Sequence, residues 1–189
     1  IPDRIEAGSY ILASMATKGK LRLNNFNPND LIFPLKIYQD MGLKIKKISK
    51  TSYEFNCKRL KPIKKISTKE YPGYPTDLQA QLIATQLKSA LKSKVVENIF
   101  ENRFIHIPEL RRFGANLSII GKTVTIHKTL NLFGAEVMAT DIRASFSLII
   151  AAMMSKGTTV INRIYHLDRG YEDFDLKLKK CGVNISRKK

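Results

Sequence analysis

The 189-residue chain is poor in cysteine (two), in histidine (three) and in long apolar runs, none of which approaches 18 residues. Each scarcity argues against something. Cys57 closes a strand pattern and Cys181 precedes a glycine; neither sits in a CxxC pattern or beside a histidine at ligand spacing. A disulfide framework and a zinc site are therefore not expected, and a reducing cytoplasm fits. His106, His127 and His166 show no metal-ligand spacing and read as structural residues. No transmembrane helix is expected, and no signal-peptide pattern opens the chain. The chain starts at Ile1 inside what reads as a structured unit, so a longer parent protein is expected.

Acidic residues are also scarce. Lys and Arg number 33 against 16 Asp and Glu, a net charge of +17. Such a balance favours anionic partners: phosphate metabolites, nucleic acid or a charged membrane surface. The basic runs (Lys44 to Lys50, Lys58 to Lys69, Arg187 to Lys189) are mostly lysines spaced along strands and loops. Nucleic-acid readers lean on arginine and exposed aromatics, which are not interleaved here. Solvated faces are the plainer reading, and a basic nucleic-acid- or polyanion-binding module is the alternative.

What the chain does have is repetition. Pro2-Asp-Arg-Ile-Glu-Ala7, Pro75-Thr-Asp-Leu-Gln-Ala80 and Ala139-Thr-Asp-Ile-Arg-Ala144 each open an apolar helical run. Asn24, Asn98 and Asn162 follow the three alanines after 17, 18 and 18 residues, each at the end of a short strand pattern. A second helix then ends at Gly42, Gly114 and Gly182, and a strand pattern follows. Repeats of this size are supersecondary units sharing one core. Residues 1–189 therefore read as a single domain, with units at about 1–60, 61–130 and 131–189. Each unit is βαβαββ or a trimmed version of it, with helices inside and sheets outside. The second apolar helix is expected over Asp77 to Leu91 with Thr76 as N-cap, the third over Asp141 to Met154. A last strand is expected over Val183 to Ser186.

The candidate chemistry lies where the helices begin. A helix start offers unpaired N–H groups and partial positive charge. Carboxylates there, such as Asp77 and Asp141, are common and mildly stabilising. Arginines there, such as Arg4 and Arg143, oppose the dipole and need a reason; a phosphate or carboxylate ligand supplies one. Arg103 and Arg169 lie in loops after the Asn98 and Asn162 strands and should emerge at the same end of their units. Surface ion pairs, Arg103 with Glu101 and Arg169 with Asp168 or Glu172, are the plainer reading of both. Together Arg103, Arg143 and Arg169 could hold a multiply charged anion beside two candidate bases, Asp77 and Asp141.

The strings Ile1–Gly8, Tyr71–Gln81, Ile99–Leu110, Gly134–Ser145 and Gly157–Glu172 closely resemble, in order and spacing, the C-terminal portion of the UDP-N-acetylglucosamine 1-carboxyvinyltransferases, also called UDP-N-acetylglucosamine enolpyruvyl transferases. The resemblance covers essentially the whole chain. It implies an inverted α/β barrel of three βαβαββ units, one of two such domains. It implies transfer of the enolpyruvyl group of phosphoenolpyruvate to the 3-hydroxyl of UDP-N-acetylglucosamine, with phosphate release, in the first committed step of peptidoglycan synthesis. By position it implies that Asp77 meets the sugar hydroxyl as base and that Arg143 and Arg169 face phosphoenolpyruvate. Arg103 and Asp141 would line the site, Asp141 serving proton transfer at the methylene carbon, and Ile99 would make a backbone contact to the sugar nucleotide. No metal or organic cofactor is implied. Tyr74 and Phe146 depart from the family pattern by being bulkier. The family's N-terminal Lys-Asn pair and its lid loop have no counterpart here. The chain is expected to be inactive alone and to need the missing N-terminal half.

Overall fold

The computed structural model describes residues 2–188; Ile1, in the first of the strings that carry the resemblance, and Lys189, in the last basic run, lie outside the described residues. In chain order the elements are α1 (Arg4–Ala16), β1 (Lys20–Leu23), α2 (Ile32–Asp40), β2 (Lys44–Lys47), β3 (Tyr53–Asn56), β4 (Lys65–Ser67), α3 (Gln79–Gln86), β5 (Ser93–Val96), α4 (Ile107–Arg112), β6 (Leu117–Ile120), β7 (Thr123–Ile126), β8 (Glu136–Met138), α5 (Ser145–Met154), β9 (Val160–Asn162), α6 (Tyr165–Asp168) and α7 (Phe174–Lys180).

Three sheets lie outside and three helices inside, as the apolar periodicity predicts. The sheets have strand orders β1-β3-β2, β4-β5-β7-β6 and β8-β9. In the first two, the last strand inserts antiparallel between the strand after the buried helix and the strand after the glycine. Phe55 thereby comes between Leu21 and Ile45. The buried helices α1, α3 and α5 pack on one another, with α3 touching both of the others. Ile11, Leu12, Leu82, Ile83, Leu148 and Ile150 are fully buried at their shared interior. Close approach is what the small residues permit. A Cβ on Gly8 would come within 2.7 Å of Leu78 Cδ1, so a larger residue there would require the Leu78 side chain to shift.

Gly42, Gly114 and Gly182 have φ of +104°, +87° and +87°. Their N–H groups return to the last helical turns, to Gln39, Arg111 and Lys179. This is the left-handed C-terminal stop that the sequence predicts.

Three local expectations are corrected. Helix α3 runs only from Gln79 to Gln86, and a single 3-10 turn over Thr76–Leu78 precedes it. Thr76 does not cap that helix; its hydroxyl donates to Glu97 at 2.8 Å instead. Helix α5 begins at Ser145, because Asp141 accepts from the N–H groups of Arg143 (2.8 Å) and Ala144 (2.6 Å) in a turn of its own. Residues 183–186 alternate inward and outward like a strand but join no ladder. The two bulky departures are accommodated. The Tyr74 hydroxyl donates to Leu78 O (3.2 Å) and lies 3.1 Å from the Tyr38 hydroxyl. Phe146 stacks on Tyr171 with ring centroids 4.6 Å apart.

Candidate functional site

The three helix starts converge because α1, α3 and α5 cross at one centre, and Gln81 lies at that centre. Its amide nitrogen lies 3.0 Å from the Arg143 carbonyl, 3.0 Å from the Tyr171 hydroxyl and 3.2 Å from Ser9 Oγ. Ser9 Oγ and the Tyr171 hydroxyl are themselves 2.9 Å apart. One fully buried side chain of the second unit thus ties the first to the third. Burial pushes the Tyr171 phenol up to about 12, although Ser9, Gln81 and Arg143 each favour its ionised form.

Above this centre, Arg103 Nη2 donates to Asp77 Oδ1 at 2.7 Å. The two side chains are 22% and 40% exposed, so the pair is held but open to a ligand. The Arg103 guanidinium stacks over Phe100, 4.8 Å from the ring centroid, and its carbonyl accepts from Gln79 Nε2 at 3.2 Å. The expected Arg103–Glu101 surface pair is not the one that forms. Asp77, the nearer carboxylate across the loop, takes the guanidinium.

Arg143 is the second cation. Its Nη2 donates to Asp3 at 2.8 Å, its Nη1 donates to the Gly170 carbonyl at 2.7 Å, and its guanidinium lies 5.3 Å from the centroid of the Tyr171 ring. Burial works against its charge, but the bond to Asp3 and the fields of Asp3, Tyr171 and Asp77 outweigh it and raise its pKa. The Asp77 charge is thus close enough to act on Arg143. Asp3 escaped the sequence reading, although its place beside Arg4 before an apolar run signalled a cap. Its Oδ1 accepts from Ile5 N at 2.7 Å and its Oδ2 holds Arg143.

Arg169 is exposed and forms no ion pair among the described residues. Neither expected partner takes it: Asp168 pairs with Arg187, and Glu172 lies nearer Lys177. It precedes Gly170, whose carbonyl Arg143 holds, so the two arginines are joined through one backbone bond. A Cβ on Gly170 would run into Ile142 Cγ2, which keeps that turn tight against the start of the third unit. Asp141 engages one carboxylate oxygen with its own turn and leaves Oδ2 without a partner among the described residues. The N–H of Ile99 donates to Glu97 at 2.8 Å, and its carbonyl accepts nothing among the described residues.

Glu97 is the second residue the sequence reading missed. Only 1% exposed, its carboxylate accepts from the hydroxyls of Thr68 and Thr76 (both 2.8 Å) and from the N–H groups of Ile99 (2.8 Å) and Phe100 (3.2 Å). It clamps the Asp77 turn to the loop that carries Ile99 and Arg103. His106 sits beneath that loop, fully buried; burial, with Arg103 nearby, lowers its pKa to about 3. Among the described residues no group of His, Cys, Asp and Glu side chains is arranged to hold a metal ion. The site is an open face. Two grooves of about 490 and 590 Å³ lie elsewhere, around the far ends of α1 and α5.

The family model described as EPSP synthase (3-phosphoshikimate 1-carboxyvinyltransferase) matches residues 1–178. The chain belongs to that family. Within the EPSP synthase family it is 50% identical, over 188 residues, to the UDP-N-acetylglucosamine 1-carboxyvinyltransferase of Campylobacter lari. That alignment covers 99% of this chain and 44% of the relative. The protein of the same name from Pelagibacter ubique is 47% identical over 187 residues, 99% of this chain and 45% of the relative. The chain thus spans less than half the length of the curated relatives it matches. Among solved structures, the enolpyruvyl transferase NikO from Streptomyces tendae aligns with a TM-score of 0.87 at 25% identity, over 98% of this chain and 44% of that one. EPSP synthase from Acinetobacter baumannii aligns with a TM-score of 0.74 at 13% identity, over 98% and 46% of the two chains, and shares the fold. The inverted α/β architecture expected from the sequence is the architecture of this family.

Proposed function

We propose that this chain supplies one wall of the active site of an enolpyruvyl transferase acting on phosphoenolpyruvate and UDP-N-acetylglucosamine. The observation that carries the reading is the open Asp77–Arg103 pair within the field of Arg143, all at the convergence of the three helix starts. A trianionic substrate calls for convergent arginines, and preorganised charge is the most effective stabiliser of a transition state that redistributes it.

In this reading Arg143 and Arg169 hold the phosphate and carboxylate of phosphoenolpyruvate. The Ile99 carbonyl contacts the sugar nucleotide and Arg103 steadies Asp77. Asp77 takes the proton of the 3-hydroxyl as its oxygen bonds to C2 of phosphoenolpyruvate, and the methylene carbon gains a proton with the help of Asp141 Oδ2. Loss of that proton and of phosphate from the tetrahedral adduct leaves the enolpyruvyl ether. A carboxylate is a weak base toward an alcohol, so the step requires water to be excluded. That exclusion falls to the portion of the relatives that this chain does not span. Residues 1–189 act here as a single domain of three units, in the cytoplasm, where these substrates occur.

The test is to produce this chain together with the unmatched portion of the Campylobacter lari relative and to follow phosphate release from the two substrates. Turnover that Asp77→Asn abolishes is the expected result. A stable complex that binds both substrates without releasing phosphate would refute the reading.

A further inference from the structure

A buried pair of tyrosines reaches the turn that carries Asp77. Tyr38, on α2 of the first unit, and Tyr74, just before that turn, are both fully buried. Their rings meet edge to face with centroids 6.3 Å apart. The Tyr74 hydroxyl lies 3.2 Å from the Leu78 carbonyl oxygen and 3.1 Å from the Tyr38 hydroxyl. A carbonyl can only accept, and a phenol has one proton to give. Tyr74 therefore donates to Leu78 and accepts from Tyr38. Burial pushes both phenols above their ordinary range, so each keeps that proton. Hydrogen bonds in such a chain polarise one another, and the dry interior strengthens them.

The chain of bonds ends beside a reactive group. Leu78 closes the single 3-10 turn Thr76–Leu78, and Asp77 stands in the middle of it. The Leu78 side chain is fully buried and lies against Gly8 of α1. Tyr74 is held at its backbone, where its carbonyl accepts from Lys69 N at 2.9 Å, just beyond β4. With its backbone anchored and its ring packed on Tyr38, the phenol is a fixed strut between α2 and the turn. Tyr74 is also one of the two positions at which the sequence departs from the family pattern, and its hydroxyl makes both bonds.

We infer that Tyr38 and Tyr74 are a positioning pair for Asp77. By holding the Leu78 carbonyl, Tyr74 sets where the turn sits. By donating to Tyr74, Tyr38 keeps the Tyr74 proton aimed at Leu78. Asp77 is thereby presented to Arg103 Nη2 at 2.7 Å, while its Oδ2 has no partner among the described residues. Neither tyrosine reaches the open face, so the pair acts through Asp77 and not on a ligand. Its effect on turnover rests on the role proposed for Asp77 as base. A reacting group misplaced by about 1 Å can cost about 10²-fold in rate. Loss of one hydroxyl should cost less, because Glu97 still holds Thr76.

The test compares Tyr38→Phe, Tyr74→Phe and the double variant, each co-produced with the unmatched portion of the Campylobacter lari relative. Tyr74→Phe should lower kcat for phosphate release about tenfold and leave KM for phosphoenolpyruvate within about twofold, because Arg143 and Arg169 are untouched. Tyr38→Phe should lower kcat by about threefold, and the double variant should be no slower than Tyr74→Phe, because Tyr38 acts only through Tyr74. The N–H groups of Leu78 and Gln79 close the turn onto Pro75 and Thr76. Their exchange should quicken about tenfold in Tyr74→Phe while the amides of Val95 and Leu148 stay as slow as in the unaltered chain. Three outcomes would overturn the proposal. One is unchanged exchange at Leu78 and Gln79. A second is exchange that quickens equally throughout the chain. The third is a double variant whose loss in kcat is the product of the two single losses. If the unaltered complex releases no phosphate, the catalytic reading fails instead, and exchange alone decides whether the pair holds the turn.

Discussion

The carboxylate of Asp77 sits 2.7 Å from the guanidinium of Arg103, and the two come from different loops of the second unit, one before its buried helix and one after it. Arg4 in the first unit and Asp141 in the third occupy the repeat position of Asp77, yet neither makes such a pair among the described residues. Arg4 lies over the Tyr71 ring and Asp141 turns to its own backbone. Three related positions have thus diverged into three different environments.

Replacing Asp77 with asparagine should leave the fold intact, because a partly exposed ion pair contributes about 0–1 kcal/mol. In the complex with the unmatched portion of the relative, phosphate release should fall by about 10² to 10⁴, the span typical of a lost acid–base group. Stopped assays on that complex, with circular dichroism on the chain, measure both effects. A fall of less than about tenfold would contradict the role given to Asp77.

Glu97→Gln should be costly for stability. The carboxylate accepts four hydrogen bonds in a buried site, and an amide would turn two of its own donors toward the N–H and hydroxyl donors already there. We expect a loss of about 2–4 kcal/mol in urea unfolding, in line with charge-assisted bonds and unsatisfied buried groups. In the reconstituted enzyme the same change should raise KM for the sugar nucleotide, because Ile99 and Arg103 lose their anchor.

Gln81→Leu should destabilise by about 1–3 kcal/mol, because the Arg143 carbonyl loses the buried donor that Gln81 Nε2 provides. Arg143 should gain mobility, seen as faster exchange of its backbone and broader side-chain resonances.

Histidine 106 sets a pH dependence. Its folded pKa, about 3, lies below the ordinary 6.5 because burial and then Arg103 disfavour the charged form. The unfolded chain therefore binds a proton that the folded chain refuses. The associated stability is fully present above pH 6.5 and is lost as pH falls from there toward 3, with a limiting slope of about 1.4 kcal/mol per pH unit. Urea midpoints from pH 7.5 to 5 should fall more steeply for the unaltered chain than for His106→Leu. Parallel slopes would contradict this account.

The repeats, the buried helices, the glycine stops and the cluster of charged residues at the helix starts were legible in the sequence, because each leaves a local trace: a periodicity, a φ > 0 glycine, a charge before an apolar run. What was not legible is long-range. The choice of Asp77 over Glu101 by Arg103 depends on how two loops meet, and the Asp3–Arg143 bond joins residues 140 apart in the chain. Glu97 did leave a trace in the repeat register. Aligned on Asn24, Asn98 and Asn162, the preceding residues are Leu23, Glu97 and Ile161, and a carboxylate among two aliphatics asks for donors. Gln81 left one too, as an amide inside an apolar helix where Gly8 and Ser145 stand in the other copies. The start of α5 was overextended because the bonds Asp141 accepts in the preceding turn outcompete helical ones. Helix α3 was overextended at both ends, where a 3-10 turn precedes it and tight i to i+3 turns follow Gln86. The strand expected at 183–186 failed for want of a neighbour, which one sequence cannot reveal.

Gln81 has a mechanical consequence. A lone amide that grips Ser9, Arg143 and Tyr171 fixes how far each of the three central helices can swivel against the others. The charged groups at their starts are thereby braced against one another. On the proposed reading, gating travel falls to the portion of the relatives that this chain does not span, with this face serving as the stationary jaw.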